Sequence, residues 1–271
     1  VIPDGNGPVN EKGLQFYDDL VNELLKYGIE PMVTVYHWDM PQALEDQYHG
    51  FEDRRIIDDF VNYATVLFKK LGDRVKYWII MNEQNVFTTF GWMNGMHPPG
   101  KKDEEKLFYQ VNHHANIAFA KSVLALKALY PDAKVGSSFA YTPGYAYDRH
   151  PENAMALEDY NDLKNFYWMD IYALGRYPRA AIKYLESKGV APEFAPGDKQ
   201  VLKEAAAKVD FMGVNYYQSC VVEHNPIDGV GMSMEMNTTG KKGTAKVSGV
   251  PGLYKNPQNE FLSTTDWDWT I

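Results

Sequence analysis

The sequence predicts an α/β fold built from parallel βαβ units, a (β/α)8 TIM barrel. Two patterns carry that prediction. Four short runs, Glu30 to Tyr36, Val75 to Met81, Lys134 to Phe139 and Val209 to Asn215, are apolar or small almost throughout rather than alternating, as strands buried on both faces are. Helical patterns lie between them, and strand, helix, strand, helix is the order produced by right-handed parallel crossovers. A third observation separates the barrel from an open doubly wound sheet. That sheet often holds phosphates on a glycine-rich turn after an early strand, and no G-x-G-x-x-G or G-x-x-x-x-G-K-[ST] follows a strand here.

Each helix has its own justification. In "EKGLQFYDDLVNELLKYG" the residues Leu14, Phe16, Tyr17, Leu20, Val21, Leu24 and Leu25 fall largely three and four apart, and Gly28 stops the pattern. In "RIIDDFVNYATVLFKKLGD" Ile56, Ile57, Phe60, Val61, Ala64, Phe68 and Leu71 do the same before Gly72. A third helix runs from about Glu105 to Tyr130 and meets Pro131, and helical segments between about Glu158 and Lys208 are broken by Pro178, Pro192 and Pro196. Residues 225–260, rich in Gly, Asn, Lys and Thr, read as a long loop at the barrel mouth.

Composition narrows the function. With 271 residues and 45% apolar content the chain can bury one large core, so a single barrel domain is expected over 1–271. A net charge of −9 with only short, isolated lysine pairs argues against a nucleic-acid partner, which needs a basic face. The single cysteine, Cys220, permits no internal disulfide and reads as a small buried thiol, in keeping with a reducing, cytoplasmic location. No apolar run approaches the roughly 18 residues of a membrane span, and the amino terminus lacks the pattern of a secretory leader. No metal or organic cofactor is implied: His113 and His114 are adjacent on a helix, without the i, i+4 spacing of a metal pair.

Barrel chemistry sits where strands end. The first run exits through Tyr36-His37-Trp38-Asp39, the second through Asn82-Glu83-Gln84-Asn85, and the last through Asn215-Tyr216-Tyr217. Imidazole, indole, amide, carboxyl and phenol at one mouth suit a sugar, whose hydroxyls need paired donors and acceptors and whose ring faces stack on aromatics. A carboxyl group at the exit of an apolar strand loses water, which favours the protonated acid and suits Glu83 to general acid catalysis. The competing role for Glu83 is structural, as a helix cap. His97-Pro98-Pro99-Gly100 reads as a rigid loop that could line the mouth, and Ser137-Ser138 lacks the G-x-S-x-G context of an activated nucleophile. Tryptophans at 267 and 269 are either core or a stacking platform.

The stretches "GIEPMVTVYHWDMPQAL", "FVNYATVLFKKLGDRVKYWIIMNEQN", "DFMGVNYYQ" and "TTDWDWTI" together resemble glycoside hydrolase family 1, the retaining β-glycosidases built on a (β/α)8 barrel. "NEQN", "NYYQ" and "EMNTTGKKG" look most like its bacterial 6-phospho-β-glucosidase branch, which cleaves phosphorylated cellobiose or aryl glucosides inside the cell. The resemblance implies that Glu83 is the general acid/base, that Asn82 binds the sugar 2-hydroxyl, and that His37 and Trp38 bind the glycone. It implies further that Tyr217, with Asn215 beside it, bonds the nucleophile, and that Trp269 lies near the leaving group. Gln84 departs from the proline usual at its position.

Against the family pattern the chain reads as an internal piece, truncated at both ends, holding about strands 3 to 6 with their helices. Strand 1, most of strand 2, and strands 7 and 8 have no counterpart, nor do the nucleophile and the phosphate-gripping loop. Retaining hydrolysis needs two carboxyl groups about 5–5.5 Å apart, so the piece alone is expected to be inactive. Its open strand edges invite pairing with another chain, a second copy included. Two other readings stay open: a β-glucosidase or β-galactosidase acting on unphosphorylated sugars, and an inactive carbohydrate-binding or structural fragment.

Overall fold

The computed structural model describes residues 1–231, 241 and 247–257. In chain order the elements are α1 (Glu11–Lys26), β1 (Met32–Tyr36), α2 (Gln42–Tyr48), a 3-10 turn (Gly50–Glu52), α3 (Ile56–Leu71), β2 (Tyr77–Asn82), α4 (Gln84–Trp92), α5 (Glu105–Leu129) and β3 (Lys134–Ala140). There follow β4 (Gly144–Ala146), α6 (Pro151–Lys164), α7 (Phe166–Leu174), α8 (Arg179–Lys188), α9 (Asp198–Ala206), β5 (Phe211–Asn215), β6 (Cys220–His224), β7 (Ser248–Val250) and β8 (Tyr254–Asn256). The strands β1, β2, β3 and β5 form one parallel sheet in that order, each joined to the next through helices. All four expected strands are present, with ends within two residues of the apolar runs.

The interior is built where those runs predict. Trp78, Ile80 and Met81 of β2 are fully buried, and the Trp78 ring meets Phe68 of α3 edge-on at 5.0 Å. Its indole nitrogen donates to the Val75 carbonyl at 3.1 Å, so the polar end of the ring is satisfied inside the core. Ile56, Ile57, Phe60, Ala64, Phe68 and Leu71 line the buried face of α3, as their spacing requires. α1 differs: Asn10 caps its start by accepting from the Gly13 N–H at 3.0 Å, but only Leu14 and Val21 are buried. Phe16, Tyr17 and Leu20, expected in the apolar stripe, are exposed, because no described element packs over that face.

A second, smaller sheet was not legible in sequence. β4 pairs in parallel with β6, which continues antiparallel to β8 and then β7. β4 and β6 begin just beyond the ends of β3 and β5, so this sheet stands at the C-terminal side of the main one. The stretch 225–260, read as a long loop, therefore folds in part: β7 and β8 lie in it. Strands of three residues such as Ser-Gly-Val hold no period, and only pairing within this sheet defines them: β7 pairs with β8, and β8 with β6. Residues 232–240, 242–246 and 258–260 lie outside the described residues. Cys220, at the start of β6, is partly buried, and burial pushes its thiol up to about 11, so it stays neutral and serves packing.

A polar seam runs through the helical layer along α5. His113 and His114 are buried core histidines. The His113 ring bonds the Tyr177 hydroxyl at 2.9 Å and Asp198 at 2.8 Å, and His114 donates through Nδ1 to the Phe51 carbonyl at 2.9 Å. Arg54 closes the seam with a two-pronged ion pair to Asp198. Burial opposes the Asp198 charge, but the bonds from Arg54 and His113 outweigh it and hold the carboxyl below its usual range. Burial holds both histidines below their ordinary 6.5, against the pull of Asp198 and of Phe51 respectively.

Because the unfolded chain protonates these imidazoles before the folded one does, their contribution to stability is complete well above 6.5 and declines as pH falls through it. Asp198 adds a further loss only below the ordinary carboxylate range, near about pH 4. Urea midpoints of the intact protein should be lower at about pH 5 than at about pH 7.5, and the difference should shrink in His114→Gln.

Candidate active site

The site is built from the C-terminal ends of the four parallel strands. At the end of β1, Trp38 adopts a left-handed backbone (φ 78°), and its indole nitrogen donates to the Asn82 carbonyl at 2.7 Å. The His37 ring packs edge-on to Trp38 at 5.2 Å, and the His97 ring lies against Trp38, tilted, at 5.1 Å, so the 97–100 loop does reach this mouth.

Asn82 ends β2 and is held from three directions. Its Nδ2 donates to His37 Nε2 at 3.1 Å, and its Oδ1 accepts from Ser138 Oγ at 2.6 Å and from Asn215 Nδ2 at 3.4 Å. One Nδ2 hydrogen is left for another acceptor. The register between β2 and β3 shifts between Ile79 and Asn82, and the shift places Asn82 opposite Ser138. Ser137 fills the irregularity by donating to the Met81 carbonyl at 2.6 Å while accepting from the Met81 N–H at 3.2 Å. Both serines thus work as fasteners between strands.

Glu83 follows with φ 46° and ψ 57°, a left-handed conformation that costs a residue with a Cβ roughly 1–3 kcal/mol and persists only where neighbours enforce it. Its N–H donates to the Ser138 carbonyl at 2.9 Å, and Asn85 two residues on donates to the Ala140 carbonyl at 2.9 Å. Glu83 is only 7% exposed, and although it stands at the N-cap position of α4, its side chain makes no capping bond. Instead its Oε1 accepts from Asn215 Nδ2, at the end of β5, at 2.7 Å. The carboxyl therefore does not cap the helix and reaches instead to the end of β5.

The structure thus joins His37, Trp38, Asn82, Glu83 and Asn215 into one hydrogen-bonded and stacked cluster. Tyr217 is 61% exposed, two residues past Asn215. Trp269 lies outside the described residues. Sequence reasoning missed Ser138, whose hydroxyl and carbonyl hold Asn82 and Glu83 respectively. Its only signal is a polar residue near the end of the neighbouring apolar run. Among the described residues no helix is long and apolar enough to cross a membrane, and no group of three His, Cys, Asp or Glu side chains could hold a metal ion.

Comparison with known proteins gives concordant results. The model of glycosyl hydrolase family 1 matches residues 1–271. An aryl-phospho-beta-D-glucosidase of Bacillus subtilis is 49% identical over 271 residues, covering 100% of this chain and 56% of the relative. A 6-phospho-beta-galactosidase of Clostridium acetobutylicum is 36% identical over 276 residues, covering 100% and 57%. Among solved structures, the beta-glucosidase from Thermotoga maritima in complex with deoxynojirimycin superposes with a TM-score of 0.81 at 30% identity, covering 99% of this chain and 54% of that one. The chain spans about half the length of the curated relatives it matches.

Ser138→Ala removes the 2.6 Å donor to Asn82 inside a buried seam. The substitution should lower stability in chemical denaturation by about 1 kcal/mol.

Proposed function

The chain belongs to glycosyl hydrolase family 1, and from that premise we propose that the protein containing it cleaves 6-phospho-β-glucosides, phosphorylated cellobiose or aryl β-glucosides, by double displacement with retention. The observation that carries the reading is the Asn82-Glu83 pair at the exit of β2, with the Glu83 carboxyl held by Asn215. The identity of 49% to an aryl-phospho-beta-D-glucosidase supports the phosphorylated substrate. Phosphorylated sugars are charged and do not leave a cell unaided, which suits a cytoplasmic enzyme.

In the first step a carboxylate supplied from outside these 271 residues attacks the anomeric carbon, while Glu83 gives its proton to the departing glycosidic oxygen. In the second step the Glu83 carboxylate takes a proton from water, whose oxygen attacks the anomeric carbon and releases the first carboxylate. Asn215 fixes the direction of the Glu83 oxygen that is not needed for transfer. Asn82 offers its remaining N–H to a sugar hydroxyl, and Trp38, locked by its bond to the strand end, presents an apolar face to the glycone, with His37 beside it. Tyr217 and Trp269 complete the proposal, toward the nucleophile and the leaving group.

With the intact protein, p-nitrophenyl β-glucoside 6-phosphate should be hydrolysed with a higher kcat/KM than p-nitrophenyl β-glucoside. Glu83→Gln should lower kcat/KM by about 10²–10⁴ for an alkyl leaving group and far less for dinitrophenolate, which departs without a proton. Equal losses on both would refute the acid assignment. The isolated 271 residues should turn over neither p-nitrophenyl substrate, since the partner carboxylate is missing; turnover abolished by Glu83→Gln would overturn that expectation.

A further inference from the structure

We infer that Gln84 is a positioning residue for the Glu83 carboxyl: its buried side-chain amide anchors the left-handed turn that aims the acid. This inference rests on the reading of Glu83 as the general acid/base.

The argument starts from an anomaly. Gln84 immediately follows a residue in a left-handed conformation, is the first residue of α4, and is 0% exposed. A primary amide so deeply buried needs a partner at both its nitrogen and its oxygen. Both are met. Gln84 Nε2 donates toward the Asn112 carbonyl and Oδ1, each at 3.1 Å, and toward Asn116 Oδ1 at 2.9 Å. Gln84 Oε1 accepts from the Tyr172 hydroxyl at 3.1 Å. The side chain is thus tied to α5 through two asparagines and to α7 through a tyrosine.

Those partners are themselves held. Asn112 Oδ1 also accepts from Trp168 Nε1 at 2.7 Å, and Asn112 Nδ2 donates to the Phe108 carbonyl at 2.9 Å. Asn116 Nδ2 donates to the Tyr177 hydroxyl at 2.9 Å, and from there the seam runs through His113 and Asp198 to Arg54. A buried polar network in which every member has a partner holds its members in one arrangement.

The consequence falls on Glu83. With its N–H bound to the Ser138 carbonyl on one side and the next side chain bound into the α5 network on the other, its backbone has no freedom to relax toward an ordinary conformation. Relaxation would swing the carboxyl away from Asn215. Severing the Gln84 anchor should therefore spoil proton delivery more than anything else the site does, because transfer demands sub-ångström placement.

The test uses the intact protein and one ratio: kcat/KM for a substrate with an alkyl leaving group divided by kcat/KM for one with a dinitrophenolate leaving group. A loss of folded protein, or a loss of grip on the sugar, lowers both terms and cancels. Misplacement of the proton donor lowers only the first. Gln84→Ala is expected to lower the ratio about tenfold, and Tyr172→Phe, which removes one bond to Gln84 and keeps the ring, about threefold. A fall of less than threefold in Gln84→Ala overturns the inference; if that variant does not fold, a fall of less than twofold in Tyr172→Phe does so. Glu83→Gln is measured alongside. If its ratio is unchanged, the acid assignment fails and takes this inference with it; if its ratio collapses while those of the Gln84 and Tyr172 variants hold, only the positioning role fails.

Discussion

A strand sends successive side chains to opposite faces, so two consecutive residues can serve one mouth only if the backbone leaves the pleat between them. The left-handed turn at Glu83 is where this chain does so. Its result is visible in a single amide: Asn215 Nδ2 lies 3.4 Å from Asn82 Oδ1 and 2.7 Å from Glu83 Oε1. An unstrained extended residue at 83 would turn its carboxyl from its neighbour. The rest of the site follows, because Asn82 in turn positions His37 and Trp38.

What enforces the turn is spread over three layers. The sheet contributes Ser138 and Ala140, which bind residues 83 and 85 from the neighbouring strand. The helix α4 contributes its first hydrogen bonds, from Val86 and Phe87 to the Glu83 carbonyl. The outer helices contribute the polar seam on α5. Buried polar groups are costly unless fully paired. Here the cost is offset by pairing, and the specificity it brings is spent at a strand end where an ångström matters.

The residues that could be read from sequence are those whose signal is local. The four barrel strands declare themselves by unbroken apolar runs, and α3 by its stripe. His37, Trp38, Asn82, Glu83 and Asn215 declare themselves by standing where those runs stop. Gln84 was legible only as a departure from the usual proline, and Ser138 only as a small polar residue, because their roles depend on which strand or helix lies opposite. The same reason hid α2 and α4, which are short, and the small sheet, whose strands exist only by pairing. Phe16, Tyr17 and Leu20 show the converse failure: a local stripe predicts an apolar face but not whether anything covers it.

The Asn215 to Glu83 bond also bears on the shape of the sheet. β2 and β5 are separated by β3, so in a flat sheet their backbones would stand roughly 9.5 Å apart with parallel side chains. That the Glu83 and Asn215 side chains meet at 2.7 Å over Ser138 accords with strand ends that converge, as they do when a sheet curls about a barrel axis. Four strands curled this way make half of an eight-stranded barrel, in agreement with a chain that covers about half of its relatives.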